Sequence, residues 1–384
     1  MSGLAGGDCV EMIEEIPAAI RFLRVNVPLR KQHRTAQGSE HLRDVILVSW
    51  LRQDGVVGWG ECPTLSFAGY ATESTEVAWQ GLTTELGPQL MLGNSILAAG
   101  LIASTAALAD ASLDARLRSE GRALVEELLS DSSESPLAQT AGEARCLPRC
   151  VVIAELGAPL SELADLALAA AQAGAAMVKL KIAPGHDLEA LRAVRAAAPD
   201  LLLAADANGS YSDLDQLRAV DALGLAFIEQ PFSAELTWDE LSQLRAKMET
   251  PLALDESLVS LDAVRSAALA GAVDVVSIKP ARLGGMKAAA SAVEFAAAAG
   301  MDVFVGGMLE LGIGRAGAAV VASLPGCNLP TDLGPSSQYV KQDICEPIDV
   351  NLAGELIVPT GPGIGRVPDE SRLQQYGVDE VILR

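Results

Sequence analysis

Cysteine and histidine are scarce in this chain. The six cysteines (Cys9, Cys62, Cys146, Cys150, Cys327, Cys345) include no CxxC pair, and the three histidines (His33, His41, His186) stand at no ligand spacing. The thiols read as reduced, because a chain of 384 residues needs no disulfide staples. The histidines read as surface residues. Basic residues are also few: 28 Lys and Arg against 50 Asp and Glu give a net charge of -22. That balance argues against a nucleic-acid partner, since binding to phosphates depends on clustered Lys and Arg. No run of 18 apolar residues occurs, so no membrane span is expected. No basic region followed by an apolar stretch opens the chain, so the expected compartment is the cytoplasm. A dinucleotide cradle is not encoded either, because neither "ARLGG" nor "GGMLE" has GxGxxG spacing with a following acidic residue.

Apolar residues, by contrast, are plentiful. Half of the chain is hydrophobic and 20% is charged, a composition that supports a large core and excludes disorder for most of its length. Residues 1–11 read as a flexible tail. Residues 20–29, 45–50 and 56–61 read as a β-meander with Gly55 in its last turn, followed by helices over 73–92 and 97–129. An α+β capping domain over 12–140 is therefore expected, with a Ser-, Glu- and Gly-rich linker at 130–143.

Beyond the linker, strands and Ala-rich helices alternate. Strands are expected at 149–154, 177–182, 201–206, 226–229, 252–255, 274–279 and 302–305, with a weak eighth at 328–332. Helices such as 161–173 and 188–198 lie between them. Continuous apolar strands separated by helices imply a parallel sheet buried on both faces. Lys181, Asp206, Glu229, Asp255 and Lys279 each end one of these strands, at intervals of 25, 23, 26 and 24 residues. That rhythm is one strand plus one crossover helix, and it predicts a (β/α)7β barrel over 145–334 with its site at the strand C-termini. Residues 335–384, with a Gly/Pro-rich stretch at 360–368, are expected to run back over the capping domain.

Three carboxylates at consecutive strand ends, Asp206, Glu229 and Asp255, converge at the mouth and cannot all ionise without a cation. Hard oxygen donors without nearby His or Cys select Mg²⁺, with Mn²⁺ as a substitute. The alternative is that they pair with barrel Lys or Arg as structural salt bridges. Lys179 and Lys181 share the inward face of one strand, and Lys279 ends the strand four places round the ring from theirs. A lysine desolvated near a divalent cation is a usable base at neutral pH, and Arg282 adds a further positive charge beside Lys279. These parts fit abstraction of the proton α to the carboxylate of a small-molecule substrate. With the chain so acidic, local cations must overcome the field that repels such a substrate.

The strings "KLKI", "DANG", "IEQP", "LDES" and "IKPARLGG" resemble the muconate-lactonizing-enzyme subgroup of the enolase superfamily, over nearly the whole chain. Within it, "GGMLE" (Gly306, Gly307, Met308 and on to Glu310) and the tail "PTGPGIG" look most like o-succinylbenzoate synthases and N-succinylamino acid (N-acylamino acid) racemases. An Asp-x-Asp pair that epimerases of free dipeptides carry is missing from 303–332. The resemblance implies Lys181 as the base, Lys279 opposite it, and Asp206, Glu229 and Asp255 as Mg²⁺ ligands. It makes Lys179, Asn208, Glu256, Arg282, Gly306, Gly307 and Met308 supporting or substrate-binding residues. It also implies loops at 30–40, holding His33, and at 63–73, with Phe67 and Tyr70, that close over the substrate. The activity implied is a dehydration in menaquinone biosynthesis, with racemisation or a muconate-type cycloisomerisation as alternatives. A barrel exterior built of helices permits a homo-oligomer.

Overall fold

The computed structural model describes residues 15–34, 38–67, 73–95, 100–130 and 145–384. Three strands open the chain: β1 (Ala19–Arg34), β2 (Ser39–Leu51) and β3 (Val57–Cys62). They form an antiparallel meander whose last turn uses Gly55 at φ +86. Alternate residues of β2 serve two cores. Ile46, Val48 and Trp50 pack with the following helices, while Val45 and Leu47 join a cluster containing Val340, Ile344 and Leu373. Period-2 alternation thus buries both faces of one strand against different partners.

The two helices expected after the meander are interrupted, for local reasons. The first runs Thr75–Gln80, widens through Gly81–Leu86 and resumes as Gly87–Met91. Within the wide turn the Thr83 and Thr84 hydroxyls donate to Trp79 O and Gln80 O, each at 2.7 Å, competing for carbonyls that the backbone would use. The second is Ile102–Glu120, ended by Gly121 at φ +68 with Arg122 N bonded to Leu117 O at 2.9 Å. That left-handed cap turns the chain into a separate helix, Leu124–Ser130.

After β4 (Cys146–Leu147) come seven parallel strands: β5 (Cys150–Ile153), β6 (Met177–Lys181), β7 (Leu202–Asp206), β8 (Ile228–Glu229), β9 (Leu252–Leu254), β10 (Val275–Ile278) and β11 (Asp302–Val305). Each pairs with its neighbours in chain order. The expected eighth strand is reduced to a closing stave. Leu329 N donates to Val303 O at 3.1 Å, and Cys150 N donates to Thr331 O at 2.7 Å in a single parallel bridge. The ring therefore closes between β11 and β5. Inside it Cys150, Met177, Ala204, Phe227, Ala253, Val275 and Phe304 make an apolar plug, with the Phe227 and Phe304 rings stacked 5.3 Å apart.

Among the last fifty residues, β12 (Leu356–Ile357) pairs with β4, and β13 (Gly377–Leu383) pairs antiparallel with β1 as the edge of the first sheet. That edge strand was not expected from the sequence, since its pairing is decided by a partner more than 350 residues away. Among the described residues no helix is long and apolar enough to cross a membrane.

Gly58 and Gly60 let β3 lie directly on the helix Ile102–Glu120: a Cβ on Gly60 would stand 2.0 Å from Ala107 O. Because that contact is backbone on backbone, Gly60→Ala should lower unfolding stability in urea by about 1–3 kcal/mol or more. Gly55→Ala, with nothing within 4 Å, should cost only the about 1 kcal/mol of its left-handed backbone. Equal urea midpoints for the two variants would contradict this packing.

Candidate active site

The strand registers bring the expected charges to one end of the ring. Lys181 pairs with Asp206, and Asp206 with Glu229, so three ionisable side chains share one row across β6, β7 and β8. Lys179 lies one layer below, level with Ala204. Asp255 follows β9 and Lys279 follows β10. β6 and β10 are four places apart in the strand order, so Lys181 and Lys279 stand on opposite sides of the mouth. The apolar plug below keeps water from beneath these groups, and Lys179, Asp206, Glu229, Asp255, Lys279 and Arg282 are all buried.

Such charges have to be compensated locally. Lys179 Nζ donates to Glu229 Oε2 at 2.5 Å and to Asp332 Oδ2 at 2.7 Å, and lies 5.0 Å from the centroid of the Phe304 ring. Lys279 Nζ donates to Asp255 Oδ2 at 2.6 Å, and Arg282 Nη1 to Asp255 Oδ1 at 2.5 Å. Burial pulls Lys179 down, but Asp332 and Glu229 more than reverse this, so it stays charged well above the ordinary lysine range. Burial also opposes ionisation of Asp255, yet Arg282 and Lys279 hold it well below the usual carboxylate range. Glu229 is raised by burial first and then by Asp206 and Asp255, against the pull of Lys179. Arg282 and Lys279 thus share Asp255.

The backbone at the mouth is strained. Among the described residues the only non-glycine residues at positive φ are Asn208 (42), Gln230 (39) and Leu309 (58), each in the loop after a barrel strand. Strain of about 1–3 kcal/mol per residue persists where the surroundings fix it, often at sites of function. Gln230 shows how: its Nε2 donates to Phe232 O and Ser257 Oγ, while its Oε1 accepts from Asp255 N at 3.1 Å and Ser257 N at 3.2 Å. This clasp replaces the ladder and explains why β9 stops before Asp255. Asn208 Nδ2 donates to Glu256 Oε1 at 2.9 Å. Asn208 Oδ1 and Glu256 Oε2 are buried and accept nothing.

Of the remaining expected residues, Gly306 and Gly307 are at the site. A Cβ on Gly306 would come 3.0 Å from Lys279 Cε, and Gly307 N donates to Asp332 Oδ1 at 2.9 Å. Met308 is not among the charges: its side chain packs with Ala281, Ile46, Val48 and Trp50 against the first sheet. Phe67 lies against Gly38, joining the two expected cap loops, whereas Tyr70 is outside the described residues. His41 and His186 are exposed. Asp332, Gln230 and Arg43 were missed in the sequence. Arg43 is fully buried and donates to Pro63 O (2.6 Å), Thr64 O (2.7 Å), Leu309 O (2.8 Å) and Met308 O (3.2 Å). It thereby ties the cap loop to the loop after β11. No signal in the sequence marked Arg43, which stands between exposed Leu42 and charged Asp44, just before the expected strand 45–50.

An apolar-floored ring of paired charges under a second, antiparallel layer defines a capped (β/α) barrel enzyme. The chain belongs to the Enolase C-terminal domain-like family, matched over residues 162–372, and thus to the enolase superfamily. It is 36% identical over 377 residues to an N-succinylamino acid racemase of Amycolatopsis sp, covering 95% of this chain and 98% of the relative. It is 33% identical over 355 residues to an o-succinylbenzoate synthase of Geobacillus stearothermophilus, covering 92% and 93%. A solved structure, a probable mandelate racemase from Alicyclobacillus acidocaldarius, superposes with a TM-score of 0.84 at 34% identity, covering 95% of this chain and 97% of that one.

Enzymes of this superfamily generally use a divalent metal. The donors at the mouth fit a hard cation in kind: they are all oxygen, and two buried oxygens, on Asn208 and Glu256, lack partners. Among the described residues, however, no three ligating side chains converge on one point. Glu229 and Asp255 are turned to ammonium and guanidinium partners, so a cation has to draw them away.

Glu61, in β3, accepts from Leu311 N and from Gly314 N (2.8 Å) at the start of the helix Gly312–Ala322. Burial, with Glu310 and Asp343 adding, pushes it up to about 7 from 4.5. Since its folded pKa is the higher, its contribution is full below pH 4.5 and is lost as pH rises to 7, by about 1.4 kcal/mol per pH unit at most. Glu61→Gln should therefore flatten the fall of stability across that window, as urea titrations at pH 4.5, 6 and 7.5 would show. A parallel pH dependence in the variant would refute it.

Proposed function

We propose that this enzyme is a Mg²⁺-dependent o-succinylbenzoate synthase, dehydrating 2-succinyl-6-hydroxy-2,4-cyclohexadiene-1-carboxylate as in menaquinone biosynthesis. The observation that carries the reading is the pair of lysines on opposite sides of the mouth, with carboxylates between them. Lys181, at the half-buried rim end of β6, takes the proton α to the substrate carboxylate. The electron pair from that C–H bond enters an enediolate and then expels the ring hydroxyl, which leaves as water with the proton that Lys181 has taken. Lys279, held as an ammonium by Asp255, stands beside the developing negative charge. Asp206, Glu229 and Asp255 would hold a divalent ion, which supplies charge neutralisation at the substrate carboxylate. Asn208 and Glu256 buttress that set, and Gly306 leaves room for the Lys279 chain.

The second reading is N-succinylamino acid racemisation, favoured by the 36% identity to a racemase over almost the full chain. It uses the same first step. Lys279 then returns a proton to the opposite face instead of the substrate losing a hydroxyl. The two activities differ in the fate of one enediolate, so a paired turnover assay on the synthase substrate and on N-succinylphenylglycine separates them.

Lys181→Ala should abolish exchange of the α-proton in deuterated water while the circular dichroism spectrum is unchanged; exchange at the wild-type rate would remove Lys181 from its role. Asp206→Asn should weaken Mg²⁺ binding by about tenfold or more, read by calorimetric titration. Unchanged affinity would favour structural salt bridges over a metal site.

A further inference from the structure

Lys179 is held from two sides. Glu229 reaches it from β8, two strands away in one direction. Asp332 reaches it from the closing stave, which lies two places away in the other direction, beyond β5. Lys179 is only 3% exposed, and a buried ammonium that loses its only counter-charge is strongly destabilised. Asp332 is itself fixed, because its other oxygen accepts from Gly307 N at 2.9 Å. The Phe304 ring, 5.0 Å from Lys179 Nζ, gives the ammonium further support.

We propose that Asp332 is a positioning residue for divalent-cation binding: it retains Lys179 as an ion pair when Glu229 turns from that lysine to the cation. The inference rests on the metal site proposed above and adds a residue to it. With Asp332 in place, Glu229 is one of two partners and leaves without stranding a charge. Without Asp332, Glu229 is the carboxylate Lys179 depends on, and ammonium and cation compete for the same oxygens. Asp332 thus acts on the metal through Lys179, without ligating it.

The test is Mn²⁺ binding by the full-length chain, followed by electron paramagnetic resonance of free Mn²⁺, for wild type, D332N, K179Q and D332N/K179Q. Asn keeps an acceptor for Gly307 N, and Gln keeps N–H donors for both carboxylates; K179M replaces K179Q if the latter does not fold. D332N should bind Mn²⁺ about tenfold or more weakly than wild type, the loss typical of groups behind the ligands. In the K179Q background the same substitution should change affinity less than about twofold, because no ammonium competes. D332N binding as tightly as wild type overturns the proposal and leaves the metal site standing. So does an undiminished loss in the K179Q background, which would make Asp332 a general electrostatic contributor. Unchanged binding in D206N removes the metal site itself, and the proposal with it.

Discussion

Ion pairing in a place that water does not reach governs this structure. Glu229 and Asp332 hold Lys179, and Asp255 holds Lys279 and Arg282, over the plug formed by Phe227, Phe304 and their neighbours. Removing one member of such a set leaves an uncompensated buried charge, at about 3–5 kcal/mol, so the charges specify one another's positions. On the proposed function, a divalent ion and the lysines at the mouth attract an anionic ligand that the chain's net charge of -22 repels at a distance.

The other consequence of this arrangement is that the barrel mouth and the first sheet cannot be adjusted independently. Arg43 binds carbonyls from both the cap loop and the loop after β11. Glu61, in β3, accepts from the start of a barrel helix. Met308 and Ala281 leave the barrel to pack under the meander. Leu309, at φ +58, is held in its strained form by the carbonyl that Arg43 takes. The cap loop, the loop after β11 and, through Gly307 and Asp332, Lys179 are thus joined in one chain of hydrogen bonds.

Much of this was legible in the chain. Strand ends were readable because a charged residue closing an apolar run breaks the hydrophobic pattern, and the repeat of about 25 residues exposed the βα unit. The eighth strand was weak in sequence and is a single bridge in the fold: Pro330 has no N–H for a ladder, and the Asn328 and Asp332 side chains accept from Val303 N and Gly307 N. Helix breaks at Gly81–Leu86 and Gly121 were hidden because Ala and Leu periodicity runs through them. Asp332 was passed over as the end of a poor strand, and Gln230 as the neighbour of Glu229, since neither carries a pattern of its own. Met308 was assigned to the site by its motif, whereas its side chain serves the cap-side core.

The sequence alone determined which chemical groups end which strands, and hence that lysines and carboxylates face one another across a parallel barrel. Local periodicity and residue type are enough for that. Only the tertiary structure decided the partners: that Lys179 divides itself between Glu229 and Asp332, that Arg282 joins Lys279 on Asp255, and that Arg43 spans two layers. Those choices depend on ring closure, strand register and burial, which bring together residues 20 to 266 positions apart, and no local pattern encodes distances of that kind.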